Sequence, residues 1–86
     1  MDTRKFIDIC IDLVKKYTVE HLDRTDEKEG FDVFVVWNCK TLQNNKALLS
    51  TTLLDGMYYE ITYNGDKKEI YFDAYKKFQN ICYDAE

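Results

Sequence analysis

The N-terminal residues alternate apolar and polar positions with the period of a helix. Phe6, Cys10, Leu13, Val14 and Tyr17 fall on one stripe, flanked by Ile7 and Ile9, with Lys5, Asp8, Asp12, Lys15 and Lys16 opposite. With Asp2 or Thr3 as its cap, the pattern predicts a helix over about 3–21. The stripe is broad for a helix lying on one sheet face, which leaves room for a second helix or a second subunit against it. After residue 30 the pattern changes. Phe31-Asp32-Val33-Phe34-Val35-Val36-Trp37 is β-branched and aromatic at nearly every position, and it predicts a central strand covered on both faces, over about 31–38.

A polar connection with an Asn44-Asn45 turn signal leads to a second predicted strand over about 46–53. Asp55-Gly56 and Asn64-Gly65, two pairs favoured in tight hairpins, bracket a third over about 57–63, and a fourth follows over about 68–72. A two-residue loop at Asn64-Gly65 pairs Tyr63 with Asp66, Tyr59 with Ile70 and Met57 with Phe72, which gathers these residues and Ile61 on one apolar face. The opposite face then pairs Tyr58 with Tyr71 and Glu60 with Glu69. At Asp55-Gly56 two registers stay open: a two-residue loop places Ser50 and Thr52 on the apolar face, and a bulge places Leu49 and Leu53 there. Asp73 caps a last helix over about 74–83, with Ala74, Phe78, Ile81 and Cys82 on its stripe. The fold class expected is α+β: an N-terminal helix, a four-stranded antiparallel meander and a C-terminal helix, both helices on one sheet face.

Composition narrows the function classes. Eighty-six residues make one domain, and 45% apolar residues suffice for a core. No run approaches the roughly 18 apolar residues of a membrane span, and Asp8 and Asp12 interrupt the N-terminal apolar positions that a secretion signal needs. Three dispersed cysteines, Cys10, Cys39 and Cys82, do not make a disulfide framework, so the chain reads as a cytoplasmic protein with reduced thiols. A net charge of −4 argues against a general nucleic-acid coat. The charge is uneven. Asp23, Asp26, Glu27, Glu29 and Asp32 crowd one segment, whereas residues 33–54 contain no acid and two lysines, Lys40 and Lys46.

No arrangement points to catalysis, a metal or a cofactor. His21 has no ligand-spaced partner and sits where a helix C-terminus favours a cation. The cysteines form no Cys-x-x-Cys pair, and the glycines form no phosphate loop. Cys39, just past the first strand, is the thiol expected to be exposed, with a structural role the plainer explanation. Glu60 and Glu69, expected opposite one another, could share a cation, although neighbouring Lys67 and Lys68 explain them as a solvated pair. The aromatic residues carry more. Tyr58, Tyr71 and Trp37 on the face away from the helices, with Lys40 and Lys46 nearby, could stack bases or anchor a protein partner. Cross-strand packing is the simpler account of the same rings.

The run 32–52, with Val35-Val36-Trp37-Asn38-Cys39-Lys40 followed by Asn44-Asn45-Lys46-Ala47-Leu48-Leu49, continues into Asp55-Gly56-Met57-Tyr58-Tyr59-Glu60-Ile61 and Asn64-Gly65. Together with Tyr71 and Tyr75-Lys76-Lys77-Phe78, it resembles a family of small uncharacterised proteins encoded by phages and prophages of Gram-positive bacteria. That resemblance covers most of the chain and transfers no site residue. It implies an accessory protein in the host cytoplasm that works by binding. The expectation is a non-enzymatic protein that holds a host macromolecule, a host protein first, through Trp37, Lys40, Lys46, Tyr58 and Tyr71. A basic partner could also be met by the acidic segment imitating nucleic acid. The alternatives are a single-stranded nucleic-acid binder and a sponge for a nucleotide signal, with a homodimer compatible with each.

Overall fold

A computed structural model of the chain describes residues 1–21 and 30–85. One helix, α1 (Thr3–His21), precedes four strands: β1 (Val33–Thr41), β2 (Asn44–Thr51), β3 (Met57–Asn64) and β4 (Glu69–Lys76). The strands form one antiparallel sheet in chain order, β1-β2-β3-β4, and α1 packs across β1, β2 and β3. Asp2 caps the helix: its carboxylate accepts the Lys5 backbone N–H at 2.8 Å. Phe6, Cys10, Val14 and Thr18, spaced by four, are the buried edge of α1. They meet Ala47, Leu49, Tyr59 and Ile61 from β2 and β3, and these seven apolar side chains with Thr18 fill the interior. Tyr17 reaches further and packs its ring 5.5 Å from Tyr59 and 5.3 Å from Phe72. Among the described residues no helix is long and apolar enough to cross a membrane.

Three expectations are corrected. First, the C-terminal helix does not form. β4 runs to Lys76, and residues 77–85 carry no regular secondary structure. The eight residues of β3 offer a backbone partner to each residue of β4, from Asn64 opposite Glu69 to Met57 opposite Lys76. A ten-residue helix is marginal on its own, and a completed ladder satisfies the same backbone groups. The second correction concerns β1, which is an edge strand, not a central one. Every connection is a short hairpin, so the first strand of the meander can have only one neighbour.

The third concerns the turns. The first hairpin turns at Leu42 and Gln43, two residues before the expected Asn44-Asn45, with Leu42 at a φ of 55°. Asn44 is in β2 instead, where its side-chain oxygen accepts the Gly65 N–H at 3.0 Å. Gln43 donates to the Asp66 carboxylate at 2.8 Å, so the 42–43 and 65–68 turns are tied together. Gly65 is required there, because a Cβ would stand 2.1 Å from the Gln43 carbonyl oxygen. The β3–β4 turn therefore spans four residues, and the pairing slides by four on β4: Ile61, not Met57, faces Phe72. An even slide keeps every side chain on its expected face. At the β2–β3 connection the two-residue loop does not form: β2 ends at Thr51 and β3 begins at Met57, and Leu49 lies opposite Tyr59 on the apolar side.

Candidate functional site

With one helix on one side, the other sheet face has no layer over it among the described residues. Its composition follows from register. Leu49 and Tyr59 face α1, so their neighbours Leu48, Tyr58 and Glu60 face away, and the strands beside them are read by pairing. One row across the sheet is Phe34, Ser50, Tyr58 and Tyr75; the next is Trp37, Leu48, Glu60 and Asp73; the third is Cys39, Lys46, Thr62 and Tyr71.

A bulge sets Trp37 there. Val35 pairs with Leu49 and Trp37 with Leu48, so Val36 is an extra residue in β1. Without it, Trp37 would alternate onto the helix side with Val33 and Val35; the inserted residue turns it to the open face. Phe34, Trp37, Tyr71 and Tyr75 are 46%, 41%, 48% and 52% exposed, while Leu48 and Tyr58 between them are half-buried. The face is a broad aromatic surface across all four strands.

Its charges are few and mostly engaged. Lys46 pairs with Glu60 at 3.2 Å. Tyr71 donates its hydroxyl proton to the Glu69 carboxylate, and that bond holds the phenol above its usual range. Lys77 lies 5.8 Å from the centre of the Tyr58 ring. Asp73, opposite Glu60, is left as a second carboxylate in the middle of the face. The face therefore carries three acids, Glu60, Glu69 and Asp73, against Lys46 and Lys77.

The structure thus brings Trp37, Lys46, Tyr58 and Tyr71 together. Lys40 falls elsewhere: it pairs with Asn45, whose strand position faces α1, because the bulge reverses parity along β1. Phe34 and Tyr75 are additions. Tyr75 is four residues from Tyr71, a spacing that puts both on one face of a strand but was expected to start a helix. The bulge at Val36 has no glycine or proline to signal it. Glu60 and Glu69 do not face each other, since Glu69 pairs with Asn64 two rows away. Among the described residues no three acids, histidines or cysteines gather to hold a metal ion. His21 packs on Tyr17, ring centres 4.0 Å apart, and its Nδ1 donates to the Tyr17 carbonyl at 2.8 Å. Cys39 is exposed as expected, and so is Cys82, which was expected on an apolar stripe. Asp23, Asp26, Glu27 and Glu29 of the acidic segment lie outside the described residues.

Two hollows are small. One, of about 270 Å³, is bounded by Tyr17, Thr18, His21, Asp55, Met57 and Tyr59 at the end of α1. Another, of about 190 Å³, lies beside Cys39, Lys46 and Thr62 on the open face. Both fall below the ~300 Å³ at which small-molecule pockets begin.

Among the described residues these features define a class: a small α+β domain, one helix on a four-stranded antiparallel meander, with an uncovered aromatic sheet face. The chain belongs to DUF6275, a family of unknown function whose model matches residues 7–85. No curated protein and no solved structure matches it.

Proposed function

We propose that this chain is a binding protein rather than an enzyme, and that it holds a host protein against the open sheet face. The observation that carries this reading is the exposure of Phe34, Trp37, Tyr71 and Tyr75 on a single face, around half-buried Leu48 and Tyr58. Aromatic anchors with a semi-apolar centre are what protein interfaces use for most of their affinity. The electrostatics favour protein over nucleic acid: Lys46 is engaged by Glu60, and Asp73 and Glu69 would repel phosphates. A partner surface with apolar side chains and a basic residue for Asp73 fits best. The resemblance to phage and prophage proteins supports a role as an accessory factor acting on a host protein in the cytoplasm, by occupying it.

The test is capture from a Gram-positive host lysate, with and without nuclease, by the immobilised wild-type chain and by Trp37→Ala and Tyr75→Ala variants whose circular dichroism is unchanged. One host protein should be retained by the wild type under both conditions. Its affinity for each variant should fall by about tenfold or more, as expected for an aromatic anchor. Retention by the variants at wild-type affinity rejects the face. A ligand lost with nuclease gives the nucleic-acid reading in its place.

A further inference from the structure

The hollow at the end of α1 lies on the helix side of the sheet, away from the aromatic face, and its lining has a consistent chemistry. Tyr17 and Tyr59, whose rings meet at 5.5 Å and 65°, form an aromatic corner beside Met57. His21 stacks on Tyr17. Asp55 supplies one carboxylate, and no lysine or arginine is in the lining. That carboxylate is held in place: its Oδ1 accepts the Met57 backbone N–H at 3.0 Å. The neighbouring Gly56, at a φ of 69°, accepts the Lys77 N–H at 2.8 Å. Among the described residues Asp55 makes no ion pair. Burial raises the Tyr59 phenol above its usual range and the Asp55 charge adds to the rise, so ring and carboxylate are within electrostatic reach. Thr18 also lines the hollow at 3% exposure, and among the described residues its hydroxyl has no hydrogen-bond partner, which buried hydroxyls ordinarily have. α1 ends here, at His21, and a helix C-terminus carries partial negative charge.

We propose that this hollow is a binding site for an aliphatic ammonium group. The ammonium sits by Asp55 at the negative end of α1, and its alkyl stem lies against Tyr17, Tyr59 and Met57. Aromatic rings attract a cation electrostatically and cover the apolar stem that carries it. An anion in the same place meets a carboxylate and the wrong end of a helix dipole. At about 270 Å³ the site has room for one lysine-like side chain or a small free amine, and not for a nucleotide. The site is separate from the open sheet face and does not depend on what that face binds.

Titration of the isotope-labelled wild-type chain with n-butylammonium, followed by NMR, tests this, with n-butanol and butyrate as the uncharged and anionic counterparts. Saturable shifts are expected at the backbone amides of Thr18, His21, Asp55 and Met57, in the millimolar range, with the ligand methylene protons moved upfield by the rings. n-Butanol should bind about fivefold more weakly, for want of the cation. Asp55→Asn keeps the side-chain oxygen that accepts the Met57 N–H and removes the charge. It should weaken butylammonium about threefold or more and leave n-butanol unchanged. A blocked tripeptide with a central lysine distinguishes the sources of the ammonium. Binding at least as tight as butylammonium assigns the site to a lysine of a protein, and weaker binding assigns it to a free amine. The proposal is overturned if no saturable shift is seen, if the shifts centre on Glu60, Glu69 and Asp73, or if n-butanol or the Asp55→Asn variant matches the affinity of butylammonium for the wild type.

Discussion

Asn45 sits in β2, on the side facing α1, at 2% exposure. Among the described residues neither its side-chain oxygen nor its nitrogen has a hydrogen-bond partner. Leaving such groups unpaired in an interior costs about 1–3 kcal/mol. Asn45→Val keeps a strand-favouring shape and removes both orphan groups, so stability to urea should rise by about 1 kcal/mol. A fall of that size would mean that the amide is bonded. Nothing in the residue order marks this position as interior. The Asn44-Asn45 pair reads as a turn until the turn is found at Leu42 and Gln43, and Asn45 then inherits an inward position from alternation alone.

Among the elements, α1 and the end of the chain behave in opposite ways. The helix has its cap, a buried edge and a sheet to rest on. The last residues have an apolar spacing that suits a helix, yet Phe78 and Tyr83 are 91% and 80% exposed, and the segment's one described backbone bond outside a regular element joins Lys77 to the Gly56 carbonyl at 2.8 Å. A chain ending at Lys77 should therefore unfold within about 0.5 kcal/mol of the full-length protein, a change in the range of surface substitutions. A docked helix in that place would instead cost several kcal/mol on removal, and thermal and urea unfolding distinguish the two. The strands show which parts of a sheet are local. Alternation placed Tyr58 and Tyr71 together, away from Tyr59 and Ile61, and an error of four residues in register left that sorting intact. A bulge is different. One inserted residue at Val36 reverses the faces of everything after it in β1, which moves Trp37 into the aromatic surface and Lys40 out of it.

For the molecule as a whole, the small interior makes stability respond to alkali. Burial pushes the Cys10 thiol from 9.0 up to about 12, and burial likewise raises the Tyr59 phenol. Both groups ionise more readily in the unfolded chain than in the folded one. Their contribution is complete below pH 9.0, the unfolded thiol value, and is lost as pH rises from there towards 12. Unfolding free energy measured in urea should hence decline above about pH 9, and Cys10→Ala should flatten that decline even though it lowers stability at neutral pH. A slope unchanged by the substitution would place the alkaline transition elsewhere.

The residue order determined α1 over 3–21, the number of strands, and which tyrosines share a face, because helical and strand periods are local and survive errors of register. It did not determine that β1 is an edge, that Trp37 turns outward, or that β4 extends through Asp73 to Lys76. Those depend on backbone groups meeting partners distant in the chain: the length of β3 decided where β4 stops, and the close approach of Gly65 to the Gln43 carbonyl set how the two neighbouring turns fit. The aromatic face is thus half a product of sequence pattern and half of pairing, since local propensity cannot see the ladder that a neighbouring strand completes.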